Sequence, residues 1–245
     1  MNILEVRDVT KTFGGLRAIS DLSLEVRQGQ CFGIIGANGA GKTTLLNLIT
    51  GYDRPGEGTI RFAGRNVTGM TPYQLCRLGM GRSFQIVQPF VEMTVLDNIM
   101  TGALFSRNGR GRSLAAARAA CEPMLDLVGL TEHANQLAGT LTIGAKKKLE
   151  LARVLATEPT LMLLDEVMGG LTRGEIEDGI ATLERIKATA TTIVMIEHNV
   201  HVITRLCDHV LVLDFGRALF QGTPAKVVAH PEVIQAYLGK PQERS

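Results

Sequence analysis

Nine consecutive residues, Gly36-Ala37-Asn38-Gly39-Ala40-Gly41-Lys42-Thr43-Thr44, combine glycines, a lysine and hydroxyls in a stretch short enough to curl on itself. They fit the spacing Gly-x-x-x-x-Gly-Lys-Thr. Glycines reach backbone angles that other residues resist, so successive N–H groups in such a loop can point inward at an anion. The apolar run Cys31 to Ile35 before the loop reads as a buried strand, and Leu45 to Ile49 after it as the first turns of a helix. A helix placed there adds the positive end of its dipole. Lys42 can neutralise the β- and γ-phosphates of a nucleoside triphosphate, and the Thr43 hydroxyl can take one Mg²⁺ position. The alternative is an ordinary glycine-rich turn, and the strand and helix on either side argue against it. The predicted phosphate contacts are Gly36, Asn38, Gly39, Ala40, Gly41, Lys42, Thr43 and Thr44.

Further along, residues able to work on a bound phosphate recur. Asp165 and Glu166 end the apolar run Leu161-Met162-Leu163-Leu164, which reads as a strand covered on both faces. In α/β sheets ligands gather at the carboxyl ends of strands. Asp165 could hold Mg²⁺ and Glu166 could orient or deprotonate an attacking water; the other reading is a pair of helix-capping carboxylates. His198 follows the apolar run Thr192 to Ile196 and could hydrogen-bond the γ-phosphate or the water. Taken by itself it reads as a structural histidine, and although His201 is three residues away, no third metal ligand accompanies the pair. Gln85 stands in a loop where its carbonyl could ligate Mg²⁺. Thr142, Gly144 and Ala145 precede the basic stretch Lys146, Lys147, Lys148 and Arg153. The Gly144 and Ala145 N–H groups at a helix start would make a second anion site, against the alternative of a solvent-facing helix end. Phe13, before Gly14-Gly15, could lie flat on a purine or fill a turn or core.

The elements that must position these groups alternate between strand and helix. Residues 3–9 and 22–27 read as strands, 59–62 and 66–67 as short strands, and Thr71-Pro72 as a helix start. From 94 to about 157 the chain reads as mostly helical, with Thr94 and Asp97 capping one helix, residues 114–128 forming another and Leu149 to Ala156 a third. Arg107, Arg110 and Arg112 lie among glycines between them and read as a solvated loop, the lesser alternative being a contact to nucleic acid or lipid headgroups. Thr172 with Glu175 predicts a capping box, and residues 210–213 and 218–220 a hairpin around Asp214 to Arg217. The letters Asp-Phe-Gly in that turn also occur in kinases, but no His-Arg-Asp loop precedes them. Thr223-Pro224 starts a late helix, and Lys240 to Ser245 reads as a frayed tail.

Composition narrows the function classes. A net charge of +2 is too small to imply a nucleic-acid partner, and 4% aromatics with no tryptophan argue against single-strand stacking platforms. The four cysteines are widely spaced with no Cys-x-x-Cys, which suits reduced thiols. Met1 to Asp8 has no long apolar stretch, so no signal peptide is expected. No apolar run approaches the ~20 residues of a membrane span, so work at a membrane would go through a partner.

Taken together, the chain resembles the ATP-binding subunit of an ABC transporter, over nearly its whole length and in that family's order. The phosphate loop is Gly36 to Thr44, Gln85 matches the Q-loop, Leu141 to Ala145 the signature, Leu161 to Glu166 Walker B, Gly169-Gly170-Leu171-Thr172 the D-loop, His198 the switch histidine and Phe13 the aromatic that stacks on adenine. Subunits serving branched-chain amino acid importers are the most similar, through Phe13 to Ala18, Arg82 to Gln85, Glu92 to Val95, Leu149 to Arg153 and His230 to Gly239. Importers of urea and amides share much of this. The signature departs from Leu-Ser-Gly-Gly-Gln at Thr142, Ile143 and Ala145, and the proline usual after the catalytic glutamate is Val167.

The resemblance implies one ABC ATP-binding domain over 1–245: an α/β RecA-like core with an antiparallel β subdomain (1–85 and 158–245) and a helical subdomain (86–157). It implies ATP and Mg²⁺ as cofactors, with Thr43, Gln85 and Asp165 on the metal and Lys42, Glu166 and His198 in catalysis. Thr142 and Gly144 would touch ATP held by a second ATP-binding subunit, identical or paralogous. Two membrane permease subunits and, through them, an extracytoplasmic solute-binding protein would complete the assembly at the cytoplasmic membrane face, with no nucleic acid. Two rivals are a soluble ABC ATPase, which would usually carry coiled-coil insertions or two cassettes, and a non-catalytic nucleotide-binding regulator. A kinase fits less well, since no acceptor-site residues stand out.

Overall fold

The computed structural model describes residues 1–107 and 112–238. Arg110 and the tail Lys240 to Ser245 lie outside the described residues. In chain order the elements are β1 (Asn2–Phe13), β2 (Leu16–Arg27), β3 (Cys31–Ile35), α1 (Lys42–Ile49), β4 (Glu57–Phe62), β5 (Arg65–Asn66), α2 (Pro72–Leu78), β6 (Met80–Arg82), α3 (Val95–Leu104), α4 (Leu114–Val128) and α5 (Ile143–Leu155). They continue with β7 (Leu161–Asp165), α6 (Arg173–Ala188), β8 (Thr192–Ile196), α7 (Val200–Leu206), β9 (His209–Asp214), β10 (Arg217–Gly222), α8 (Pro224–Ala229) and α9 (Pro231–Val233). The chain folds into two compact units, Met1–Pro72 with Val194–Ser245, and Tyr73–Ile193, and it passes from the second to the first within β8.

In the first unit, β2-β1-β4-β5 form an antiparallel sheet. Leu22, Leu24 and Val26 are buried while Asp21, Ser23 and Glu25 are exposed, the period-2 signature of a half-buried strand. Val6 pairs with Leu24 on one side and Ile60 on the other, which places three buried apolar side chains in one row. Both long strands run on to the Gly14–Gly15 turn, where Phe13 pairs with Leu16, so they exceed the predicted 3–9 and 22–27. Beside the turn Thr12, Phe13, Leu16 and Arg17 are exposed, while the adjacent Ile19 and Ser20 are both buried, so these ends show no alternation to read. The same unit pairs β9 antiparallel with β10 and parallel with β3, and all five residues of β3 are buried, as its unbroken apolar run requires.

In the second unit β6 runs parallel to β7, with Arg82 opposite Leu163. Helices α3, α4 and α5 pack on one another. Each has a side-chain cap: Thr94 accepts from the Asp97 N–H, Ser113 from Ala116 and Thr142 from Ala145. The predicted capping box of Thr172 and Glu175 opens α6. α5 begins at Ile143, beside the helix start read at Gly144 and Ala145, and runs on through Lys146 to Lys148 into the expected Leu149 to Ala156 segment, ending at Leu155. Arg112 is not a solvated side chain as expected: it is part-buried and pairs with Glu158 at 2.6 Å.

Gly102 of α3 shows how closely these helices approach. A Cβ there would stand 2.5 Å from the Arg153 carbonyl oxygen and 2.9 Å from the Ala156 Cβ. In an open helix Gly→Ala stabilises by about 1 kcal/mol. Here we expect Gly102→Ala to destabilise by about 1–3 kcal/mol, read as a lowered urea midpoint; a raised midpoint would contradict the contact.

Candidate functional site

In the first unit the phosphate loop lies between β3 and α1, as its pattern demands. Two glycines are required by the geometry. Gly41, the residue before α1, has φ +101°, and a Cβ on it would lie 2.6 Å from the Ala18 carbonyl oxygen. A Cβ on Gly36 would run into the Leu213 carbonyl oxygen. Lys42 is only 7% exposed and donates to the Gly36 and Ala37 carbonyls at 2.8 and 2.9 Å, so the loop is wrapped around its own lysine. A brace invisible in the sequence completes it: the Gly216 N–H donates to Ala40 O, and Gly216 O accepts from the Ser20 N–H, both at 2.9 Å. The hairpin turn with the kinase-like letters thus supports the loop backbone.

Phe13 ends β1 and is 46% exposed, which excludes a core role, and Lys11 Nζ sits 4.7 Å from its ring centroid. His198 is exposed after β8. Its neighbour Glu197 is buried, with its N–H directed at Ile34 O at 3.4 Å. His201 belongs to the start of α7, where Asn199 accepts its N–H. Among the described residues no cluster of three His, Cys, Asp or Glu forms a metal site.

In the second unit the other predicted residues converge. Gln85 Nε2 donates to Glu166 Oε2 at 3.0 Å. Asp165, 3% exposed at the end of β7, meets Arg82 Nη2 at 3.4 Å, and its N–H donates to Ser83 Oγ at 3.1 Å. Glu166 has φ +49°, a left-handed conformation that a non-glycine residue adopts only when its surroundings impose it. Its carbonyl accepts from the Gly169 N–H at 3.0 Å and from Lys147 Nζ at 3.3 Å. These bonds close the turn that carries Val167. Glu150 of α5 accepts the Phe84 N–H at 2.6 Å. Burial pushes the Glu150 carboxyl up, while the Phe84 N–H and the charges of Arg153 and Lys147 oppose that.

Thr142 caps α5 and Gly144 is buried in its first turn. The Ala145 N–H is engaged by Thr142 Oγ at 3.2 Å, which corrects the expectation that it faces an anion. Thr142 retains its O–H as a donor. A cavity of about 200 Å³ opens beside this cap, lined by Gly144, Lys147, Met168 and Glu175 among others. Hydrogen bonds from the Thr172 N–H and hydroxyl hold the Glu175 carboxyl below the usual carboxylate range.

The residue order and these geometries match known proteins. Residues 19–169 fit the family model for ABC transporters. The chain belongs to the ABC transporter ATP-binding family. Residues 219–242 also fit the model of the branched-chain amino acid ATP-binding cassette transporter. The chain is 37% identical to BraF of Pseudomonas aeruginosa, a high-affinity branched-chain amino acid transport ATP-binding protein, over 97% of this chain and 98% of the relative. It is equally 37% identical to LivG of Escherichia coli K12, over the same shares of each. A crystallised ATP-binding cassette of an ABC transporter in its ADP conformation superposes with a TM-score of 0.87, at 30% identity over 98% of this chain and 100% of that one. The α/β ABC ATPase fold is thereby established, and the activity of this ABC chain is ATP hydrolysis in a transporter. Among the described residues no helix is long and apolar enough to cross a membrane.

Forcing a side chain into the bend at Gly41 should cost about 1–3 kcal/mol of backbone strain. We expect Gly41→Ala to weaken binding of a fluorescent ATP analogue by ~10-fold or more. Unchanged affinity would show that the loop does not need this conformation.

Proposed function

We propose that this chain is the ATP-hydrolysing subunit of an importer for branched-chain amino acids. The observation that carries the catalytic reading is the Gln85–Glu166 contact of 3.0 Å beside the buried Asp165, at the carboxyl end of β7. The full-length likeness to BraF and LivG supports the solute class.

In this reading Phe13 stacks on the adenine, and the loop N–H groups from Gly36 to Thr44 and the Lys42 ammonium bind the phosphates. Lys42 is already held at the mouth of its loop by carbonyl oxygens, so little reorganisation is needed to turn it onto a phosphate. Thr43, Gln85 and Asp165 offer the hard oxygen donors that suit Mg²⁺, which would neutralise charge on the phosphates. The Gln85 amide group directs its NH₂ at Glu166, leaving its carbonyl oxygen for the metal. Glu166 orients the attacking water and accepts its proton, and His198 hydrogen-bonds the γ-phosphate edge. The Thr142 hydroxyl and the Gly144 backbone face the nucleotide of a second ATP-binding subunit, so two subunits close head-to-tail and hydrolysis reopens them.

The remaining partners follow from the transporter family. Exposed Phe84, Ile86, Phe90 and Val91 form an apolar surface for a coupling helix of a permease subunit. Two permeases, and an extracytoplasmic solute-binding protein through them, would hold the chain peripherally at the cytoplasmic face. Residues 86–157 then act as the helical subdomain of a single cassette.

Glu166→Gln should lower ATP turnover by on the order of 10²–10⁴. It should also leave an ATP-bound dimer visible by light scattering. Full turnover in this variant would remove Glu166 from the role of base.

A further inference from the structure

Helix α5 begins at the Thr142 cap and carries, two turns on, two residues of opposite charge, the buried Glu150 and the half-buried Arg153, at the i, i+3 spacing of one face. Both reach the segment that contains Gln85. Glu150, 8% exposed, accepts the Phe84 N–H at 2.6 Å. Arg153 Nη1 donates to the Gln88 carbonyl at 3.0 Å, and its guanidinium lies 4.9 Å from the Phe90 ring centroid. The stretch from 84 to 90 has no helix or strand of its own. Its backbone is therefore fastened to α5 at points on either side of Gln85. Between and beside those points stand the exposed apolar side chains Phe84, Ile86, Phe90 and Val91.

An apolar residue of similar volume would usually serve a core at least as well as a buried charge such as Glu150. What Glu150 and Arg153 supply is direction: each aims a charged group at one backbone atom of an otherwise irregular segment. The same helix starts at the Thr142 cap, and Lys147, between that cap and Glu150, donates to the Glu166 carbonyl at 3.3 Å. One rigid element thus joins the exposed apolar surface, the Gln85–Glu166 contact and the signature cap.

We propose that Glu150 and Arg153 are positioning residues that strap segment 84–90 to α5, so that a permease moving the exposed apolar surface also moves the Thr142 cap and the Gln85–Glu166 contact. The proposal rests on the transporter reading given above and adds to it the residues that transmit the signal. Neither residue touches nucleotide in that reading, so the strap should govern coupling and leave basal chemistry in place.

The test uses the complete transporter reconstituted with its permeases and solute-binding protein, with L-leucine as solute. We expect Glu150→Ala and Arg153→Ala to cut the ratio of solute-stimulated to basal ATP hydrolysis by roughly fivefold or more, with basal rate and KM for ATP within about twofold of wild type. Glu150→Gln, which keeps an acceptor for the Phe84 N–H, should restore most of the ratio. An unchanged ratio in both alanine variants, or a parallel fall of basal and stimulated rates, overturns the strap. Hydrogen exchange on the wild-type complex gives an independent reading if the alanine variants do not fold. Amides of 84–90 and of 142–148 should change protection together when loaded binding protein is added, and a change in one segment alone overturns the proposal. If leucine fails to stimulate the wild type, the solute reading fails instead. The same exchange comparison, with and without ATP, then decides the strap by the same criterion.

Discussion

An ammonium group leaves water at a cost of several kcal/mol unless hydrogen-bond acceptors replace its hydration. Lys42 is 7% exposed, and the loop before it supplies two of those acceptors, the Gly36 and Ala37 carbonyls. Much else in the first unit follows from that arrangement. The loop must bend back toward its own helix, which calls for glycine at Gly41, and must lie against the Ala18 and Leu213 carbonyls, which leaves no room for side chains at Gly41 and Gly36. β3 must be a fully buried strand to deliver the loop at a fixed place, and the Gly216 turn must hold Ala40 from the other side. A charge kept this way is fixed before any phosphate arrives, the condition under which electrostatic stabilisation is strongest.

The second unit applies the same principle with the opposite charge. Asp165 is buried against Arg82 and Ser83, and Glu166 is held in a left-handed turn by Gly169 and Lys147 while Gln85 touches its carboxylate. Val167 stands where the family usually has proline, yet the turn closes, because its closure rests on the Glu166 carbonyl and its two donors. The altered signature is likewise structurally intact at its start: Thr142 caps the helix as serine would, and Ile143 is exposed in the first helical position.

What could be read from the sequence was local. The strand, loop and helix around Lys42, the N-caps at Thr94 and Thr172, and the hairpin around Asp214 each lie within a short window, where residue type and spacing carry the information. Asp165 and Gln85 could each be nominated from its local setting, but only the resemblance joined them in one site, since they are 80 positions apart and no periodicity links them. Long-range partners were illegible. Arg112 finds Glu158, Glu150 finds Phe84 and Gly216 finds Ala40, and in each case one partner is a backbone atom or a distant charge that leaves no pattern in its own neighbourhood. The start of α5 was within reach, since Gly144 and Ala145 read as a helix start, but the burial of Lys147 was not, because it stands amid three consecutive lysines that interrupt the apolar stripe.

The proposed function requires the Lys42 loop and the Asp165–Glu166 carboxylates to act on one triphosphate. A crystal structure of the Glu166→Gln protein with ATP and Mg²⁺ tests it most directly. We expect phosphates cradled by residues 36–44, Asp165 and Gln85 directed at the metal, and position 166 facing the γ-phosphate. A nucleotide bound away from that loop, or a loop-bound triphosphate with residues 165 and 166 remote from it, would refute the shared site.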